Sequence, residues 1–212
     1  MKEISYTLLT DGSSDRALIP IINWLLGEHL PEYAIQPQWA DLYRLPTVPH
    51  GLVSRILTSI DLYPCTIIFI HRDAERENHK TRFAEITEAV ETASATKELP
   101  RAIGVIPVRL QEAWLLFNES AIRKAAGNPN GKQPLLLPHF TRLEDQPDPK
   151  ESLYELLRTA SGLVGRRLKK LSVPRCAYRV SEFISDFSPL RRLPAFQHLE
   201  SEVERMIEDL HL

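Results

Sequence analysis

Short apolar runs alternate with longer amphipathic segments along the first 126 residues of the chain. Residues 65–70 form a continuous apolar run, which is typical of a parallel strand covered on both faces. Four runs in all have the length and composition of β-strands: residues 4–9, 33–39, 65–70 and 102–108. Strands that alternate with segments of helical periodicity predict an α/β fold with crossover helices.

Between these strands, apolar side chains recur at helical spacing. The first helix contains Pro20, which predicts a kink or a late start because proline cannot donate within a helix. The last is either continuous or divided near Asn118. The predicted helices are residues 13–27, 49–62, 82–95 and 111–126. We therefore predict a mostly parallel four-stranded sheet flanked by helices, formed by residues 1–126.

Five prolines within residues 127–149 interrupt this pattern. Such a density of proline predicts a long surface loop or a boundary. Helical periodicity then resumes in four segments: residues 150–160, 163–171, 178–184 and 195–210. The sequence therefore predicts a helical carboxyl-terminal region, residues 150–212, that packs on the α/β domain.

Composition places the chain among globular proteins. Hydrophobic residues make up 43% and charged residues 25% of the 212 residues, which is enough to form a core. Cys65 and Cys176 are far apart and in no metal-ligand spacing, so no disulfide framework is expected. No signal-peptide pattern is found at the amino terminus, and no apolar run approaches the roughly 20 residues of a membrane span. We expect a soluble, cytoplasmic protein that does not bind membranes.

Positive charge is concentrated near the carboxyl terminus. Residues 158–192 contain nine basic and two acidic residues, a net charge of +7, while the whole chain has −2 and the remainder therefore −9. This asymmetry predicts a surface that binds a polyanion such as DNA or RNA. The alternative is a solvated helix face, with ion pairs from Arg191 and Arg192 to acids of residues 200–209. The candidate nucleic-acid contacts are Arg166, Arg167, Lys169 and Lys170.

Acidic residues follow three of the four predicted strands. The carboxyl ends of parallel strands meet at one edge of a sheet, where α/β proteins bind ligands. Carboxylate oxygens are the ligands that Mg²⁺ and Mn²⁺ prefer. The candidate ligands are Asp11 and Asp15 after the first strand, Asp73 and Glu75 after the third, and Glu112 after the fourth. We predict that they form one divalent-metal site.

Each acid also has a structural explanation. Asp11 could form a turn, and Asp15 could be a helix N-terminal acid favoured by the dipole. The acids of residues 73–77 could form a solvated charged segment, and Glu112 could be a first-turn acid. His71, beside the acids, could act as an acid or base, although a strand-end histidine is more often structural.

The spacing of these acids resembles the TOPRIM domain of topoisomerases, primases and OLD-family nucleases. Asp11-Gly-Ser-Ser-Asp15 is similar to the acid-xxx-Asp motif of the OLD type, and Asp73-Ala-Glu75 to its Asp-x-Asp motif. Asp11 stands where the family usually has Glu, and Glu75 where it usually has Asp. Over nearly the whole chain, TDGSSD, FIHRDAE, PVRLQEAWLL and SDFSPLRRLPAF resemble a family of small bacterial TOPRIM-like proteins, whose genes tend to neighbour ATPases in defence loci.

The resemblance implies a TOPRIM-like (Rossmannoid) fold and metal-assisted hydrolysis of nucleic-acid phosphodiesters, with an ATPase as partner protein. It implies that the catalytic residues are Asp11, Asp73, Glu75, Glu112 and a downstream lysine, Lys169 or Lys170. Lys169 or Arg166 would neutralise charge that develops on the phosphate.

Two other functions remain open at this point. The chain could be a non-catalytic module that binds and regulates an ATPase or nucleic acid. A receiver-like phosphoacceptor would need a lysine after a fifth strand, and no fifth strand is predicted. A homo-oligomer is compatible with either.

Overall fold

The structure is a computed structural model of the chain and describes residues 2–74 and 79–211. Four strands form one sheet in the order β2-β1-β3-β4, and all three neighbouring pairs are parallel. The strands are β1 (Lys2–Leu9), β2 (Tyr33–Trp39), β3 (Ile67–His71) and β4 (Arg101–Val105). The prediction of an α/β fold with a largely parallel four-stranded sheet is confirmed.

Eight α-helices and six short 3₁₀ helices accompany the sheet in the described residues. The α-helices are α1 (Ile19–His29), α2 (Leu52–Leu62), α3 (His79–Ser94), α4 (Glu119–Ala125), α5 (Pro149–Ser161), α6 (Gly165–Lys169), α7 (Val173–Val180) and α8 (Pro194–Leu210). The 3₁₀ helices are Ser13–Leu18, Leu42–Arg44, Gln111–Leu115, Phe140–Arg142, Ser181–Phe183 and Ser188–Arg192.

Proline and asparagine set several helix boundaries. Pro20 lies in the first turn of α1, where its missing N–H costs no hydrogen bond, so the late start is confirmed. The segment after β4 is divided, and Asn118 caps α4 by accepting a hydrogen bond from the backbone N–H of Ala121 at 2.9 Å. The prediction for residues 178–184 was wrong at its amino end, since α7 begins at Val173 with Pro174 in its first turn.

Helices cover both faces of the sheet. Side chains on one face of β1 and β3, such as Tyr6, Leu8 and Phe69, pack in a cluster with residues of α1, α4, α5, α7 and α8. Side chains on the other face, such as Leu9 and Ile70, pack in a second cluster with residues of α2 and α3. The continuous apolar sequence of β3 follows from this arrangement, because all five of its residues are buried.

The helices that follow residue 149 share a core with the sheet. Trp114, which is fully buried, packs edge-on against Phe196 of α8, with ring centroids 5.4 Å apart. Within residues 127–149, Leu143 is fully buried, and the amide of Asn128 donates to the carbonyl oxygen of Ala160 in α5 at 2.9 Å. This proline-rich segment therefore packs against the core and is hydrogen-bonded to α5. No α-helix in the described ranges is both long enough and apolar enough to cross a membrane.

The strand order creates a crevice at the carboxyl edge of the sheet. The chain passes from β1 to the edge strand β2 and then returns across β1 to β3. The direction of the crossovers therefore reverses between β1 and β3. In open α/β sheets, ligands bind at such a topological switch point. The segments after β1 and β3 that carry the candidate acids begin on either side of it.

Candidate metal centre

Asp15 is the buried acid next to β1. It lies in the 3₁₀ helix Ser13–Leu18, and its side chain is only 8% exposed. The backbone N–H of Gly12 donates to its Oδ2 at 2.8 Å, and the hydroxyl of Ser14 donates to its Oδ1 at 2.9 Å. The TDGSSD sequence thus holds this carboxylate in one orientation, as a metal ligand requires before the ion binds.

His71 is the last residue of β3, and its side chain is 1% exposed. Its Nδ1 lies 2.9 Å from the carbonyl oxygen of Val105. A carbonyl can only accept, so Nδ1 carries the proton and Nε2 of the neutral ring has a free lone pair. Nε2 is buried and has no hydrogen-bond partner in the part of the chain that the structure describes; it lies 3.4 Å from Asp73 Oδ1 and 3.8 Å from Asp15 Oδ2.

Gln111 connects the two carboxylates. Its backbone N–H donates to Asp73 Oδ1 at 3.1 Å, and its side-chain amide donates to Asp15 Oδ1 at 3.0 Å. Its own Oε1 is buried and has no partner among the described residues. The chain reaches this position through Arg109, whose φ of 61° is unusual for a residue other than glycine. Backbone strain of this kind is concentrated at functional sites.

These side chains form a compact group of potential ligands. One oxygen of Asp15, one nitrogen of His71 and one oxygen of Asp73 all lie within 4.8 Å of one another. Buried charged groups normally require a partner, and carboxylates with a neutral imidazole are a common donor set for a divalent cation. The unpartnered Nε2 of His71 lies next to both carboxylates. This buried Asp-His-Asp group could therefore hold a metal ion.

The charges of the group act on one another. Burial raises the pKa of Asp15, while the charge of His71 lowers it. Burial lowers the pKa of His71, but the carboxylates of Asp73 and Asp15 and the Val105 carbonyl more than offset this, and the net shift is upward. Burial also raises the pKa of Glu112, assisted by the charges of Asp73 and Asp15 and opposed by Lys150. These shifts mean that protons and a cation compete for the same side chains.

The five predicted acids do not all have the same surroundings. Asp15 and Asp73 are brought together, and Glu112 is buried close enough for their charges to affect it, although its carboxylate is not one of the three grouped ligands. Asp11 is 44% exposed at its side chain and pairs with Arg55 and Arg72 instead. Glu75 lies outside the described residues.

The predicted basic contacts lie at the surface. All four side chains are exposed on or next to the short helix α6, and none forms an ion pair within residues 2–74 and 79–211: Arg166, Arg167, Lys169 and Lys170. The alternative pairing of Arg191 with an acid of α8 is present, since its Nε lies 2.9 Å from Glu200 Oε1. The basic surface of α6 is thus free to meet a polyanion.

Sequence reasoning missed the importance of two residues. His71 was considered structural, and Gln111 was not singled out at all. Both carry a signal that could have been used, because each polar side chain comes at the carboxyl side of a strand, beside a candidate acid. The structure adds that both side chains are buried, that the amide of Gln111 donates to Asp15, and that Nε2 of His71 lies near both Asp15 and Asp73.

Comparisons with known proteins do not assign the chain to a family. A scan against protein-family models finds no match, and searches of curated proteins and of solved structures find no significant match. The geometry of the site is therefore the basis for any functional conclusion.

Proposed function

We propose that the protein is a divalent-metal-dependent nuclease of the TOPRIM-like type, which hydrolyses phosphodiester bonds of DNA or RNA. The observation that carries the proposal is the buried Nε2 of His71, which lies 3.4 Å and 3.8 Å from the carboxylates of Asp73 and Asp15 and has no hydrogen-bond partner among the described residues. A buried polar atom without a partner is costly and needs an explanation. A metal ion held by Asp15, His71 and Asp73 provides one.

The donor set favours Mn²⁺ over Mg²⁺. Mg²⁺ strongly prefers oxygen ligands, whereas an imidazole nitrogen suits the later divalent transition metals. Asp15 and Asp73 would supply carboxylate oxygen and His71 nitrogen, and Glu112 is a further carboxylate, whose pKa is raised by burial and by the charges of both aspartates. Hydrogen bonds from Gln111 orient both aspartates, as outer-sphere groups do at many metal sites.

Phosphodiester hydrolysis suits such a site. A bound divalent ion activates a water molecule and stabilises charge on the phosphate oxygens. Hydrogen bonds from Gly12, Ser14 and Gln111 would hold the two aspartate ligands rigidly, and the burial of His71 would exclude bulk water from one side of the site. Lys169 or Arg166 would neutralise charge on the phosphate, as the TOPRIM resemblance implies.

The exposed basic residues support a nucleic-acid substrate. Lysine and arginine provide sequence-independent contacts to phosphate groups. Four such residues lie together at α6 without ion pairs in the described part of the chain.

We also propose, from the resemblance alone, that the nuclease works with an ATPase partner in a bacterial defence system.

Cleavage assays with purified protein test the proposal. We expect fluorescently labelled single-stranded DNA, double-stranded DNA or RNA to be cut with Mn²⁺ or Mg²⁺ and to remain intact with EDTA. Asp73→Asn should reduce the rate by at least about 100-fold. Asp209→Asn removes a carboxylate of an exposed ion pair with Arg101 and should leave the rate unchanged.

Other outcomes would contradict the proposal in different ways. Metal-dependent cleavage that survives Asp73→Asn would place the active site elsewhere. Mn²⁺ binding by the wild-type protein without cleavage of any of these substrates would refute the nuclease and favour the non-catalytic binding module.

A further inference from the structure

We propose that Arg55 and Arg72 form a phosphate-binding site beside the metal centre and that Asp11 occupies it in the free protein. The inference rests on the proposed function in one respect: the phosphate would be that of the phosphodiester substrate. Asp11 would then act as an internal mimic of the substrate anion, displaced when the substrate binds.

Arg55 is fixed in position before any ligand arrives. It projects from α2, and its side chain is 12% exposed. Its guanidinium donates to the carboxylate of Asp11 and to the carbonyl oxygen of Thr10. Its Nε is buried and has no hydrogen-bond partner among the described residues. The bond to the Thr10 carbonyl would keep this guanidinium at the site after Asp11 had moved away.

Arg72, which directly follows β3, approaches the same carboxylate from the other side. Its Nε lies 3.3 Å from Asp11 Oδ2, and its Nη2 lies 3.0 Å from Glu85 Oε1 in α3. Arg55 contacts the other oxygen of Asp11, so each oxygen faces one guanidinium. Arginine recognises carboxylate and phosphate with the same fork of N–H groups. Here each guanidinium places one nitrogen next to one oxygen of Asp11, and two oxygens of a phosphate could take the same positions.

Asp11 can be displaced. Its side chain is 44% exposed, far more than the 12% and 22% of the two arginines, so the carboxylate is the solvent-facing member of the group. Ion pairs at this degree of exposure are weak, because water and salt screen them. A phosphodiester carries the same single charge as a carboxylate but offers more acceptor oxygens, and inorganic phosphate brings more charge as well. The arginines would stay while the anion is exchanged.

The chain connects this site directly to the metal centre. Asp11 precedes Asp15 by four residues, and Arg72 stands between His71 and Asp73. The two arginines therefore belong to the same edge of the sheet as the three grouped ligands. A phosphate bound between them would lie at the rim of the centre that we propose cleaves its ester bond.

Isothermal titration with inorganic phosphate tests the site directly. The titration is done in EDTA and at constant ionic strength, so that no metal contributes. Asp11→Asn removes the competing charge and should tighten phosphate binding about tenfold, whereas Arg72→Gln should weaken it about tenfold. Arg55→Lys provides a second weakened variant, because lysine cannot supply the fork of donors.

Two matched controls separate a local effect from a change in net charge. Arg101 and Asp209 form an exposed ion pair at 2.8 Å, and Arg101 is the first residue of β4, at the opposite edge of the sheet. Arg101→Gln and Asp209→Asn should change the affinity for phosphate by less than about twofold. Circular dichroism and thermal unfolding verify that every variant is folded.

The inference would be overturned if Asp11→Asn bound phosphate no more tightly than the wild type, or if Asp209→Asn produced the same gain. Its failure and that of the proposed function are distinguishable. Phosphate titrations with the expected pattern but no nuclease activity would refute only the nuclease, while cleavage that depends on Asp73 with an unchanged phosphate titration would refute only the arginine site.

Discussion

The carboxylates of Asp11 and Asp15 are four residues apart in the sequence and have contrasting surroundings. That of Asp11 is 44% exposed and lies between two arginines, whereas that of Asp15 is 8% exposed and lies 3.8 Å from His71 Nε2. One carboxylate is already neutralised by fixed positive charge, and the other is buried beside an unpartnered nitrogen. Removing the charge of Asp15 should therefore affect metal affinity far more than removing the charge of Asp11.

Asp15→Asn is expected to weaken Mn²⁺ binding by about 100-fold or more, because the loss of an outer-sphere partner alone typically costs 10- to 100-fold. Asp11→Asn should change the Mn²⁺ affinity by less than about threefold. Electron paramagnetic resonance of free Mn²⁺ during a titration measures both. Equal losses in the two variants would show that Asp11 is a direct ligand, as the TOPRIM resemblance implies.

The fold was largely predictable because its signals are local. The uninterrupted apolar sequence of β3 requires cover on both faces, and strands separated by helical segments require crossovers. Pro20 and Asn118 also mark helix boundaries, Pro20 because it lacks a backbone N–H and Asn118 because its side chain accepts a capping hydrogen bond. By contrast, the helical periodicity of residues 178–184 did not reveal that α7 begins at Val173. Pro174 lies in the first turn of α7, which is the part of a helix that tolerates proline.

The site was predictable as a location but not as a set of contacts. Acids that follow parallel strands must lie near one edge of the sheet. Which of them faces its neighbours depends on side chains far away in the sequence: Asp11 is engaged by Arg55 of α2, 44 residues later. The same holds for His71, whose ring is oriented by the carbonyl of Val105 on the next strand. No spacing rule encodes these tertiary contacts.

Gln111 should be a positioning residue for the metal ligands. Gln111→Met removes the hydrogen bond to Asp15 but retains the backbone N–H that Asp73 accepts. We expect Mn²⁺ affinity to fall about tenfold. The free energy of unfolding should change by less than about 1 kcal/mol, because the variant also removes the buried, unpartnered Oε1. Metal titration and urea denaturation measure the two effects.

Gln197→Met provides the matched control for this experiment. Gln197 also donates its side-chain amide to an oxygen, the carbonyl of Arg191, but it is exposed and lies in α8. The variant Gln197→Met should leave Mn²⁺ affinity unchanged. If Gln111→Met also left it unchanged, Gln111 would have no role in orienting Asp15.

Mn²⁺ binding should strengthen as the pH rises through the pKa of His71. The metal requires the neutral imidazole, and the upward net shift of the pKa of His71 means that protons compete with the metal to a higher pH than at an ordinary histidine. Titrations at pH 6 and 8 should show tighter binding at the higher pH. Calorimetry in two buffers with different ionisation enthalpies should detect protons released on binding. Binding without proton release would show that His71 is already neutral.

In the metal-free protein, the stability contributed by His71 should instead fall as the pH rises. A histidine whose pKa is raised by folding contributes stability that is fully present below its unfolded pKa and is lost as the pH rises through the folded pKa. Urea denaturation in EDTA should therefore show that the contribution of His71 to the free energy of unfolding declines as the pH rises above 6.5. In the variant His71→Asn, this decline should disappear.

The carboxyl-terminal helices should unfold together with the sheet. Phe196 of α8 is fully buried and contacts Trp114, which lies in the same 3₁₀ helix as Gln111. Phe196→Ala is expected to reduce the free energy of unfolding by about 3–5 kcal/mol through loss of buried surface and creation of a cavity. Far-ultraviolet circular dichroism and tryptophan fluorescence should report one coincident transition. Two separate transitions would identify residues 150–212 as an independent unit.

The exposed basic residues at α6 should contribute salt-sensitive affinity for nucleic acid. Arg166→Gln/Lys169→Gln, made in an Asp73→Asn background to prevent cleavage, should weaken binding to a labelled single-stranded oligonucleotide. The slope of log affinity against log salt should decrease in magnitude by roughly 1.4, since each lost phosphate contact to a single strand contributes roughly 0.7. The control Arg44→Gln/Arg205→Gln removes the same charge from two residues that already form exposed ion pairs. Fluorescence anisotropy between about 50 and 200 mM salt measures the slopes; identical slopes in the two double variants would show that α6 does not contact the nucleic acid.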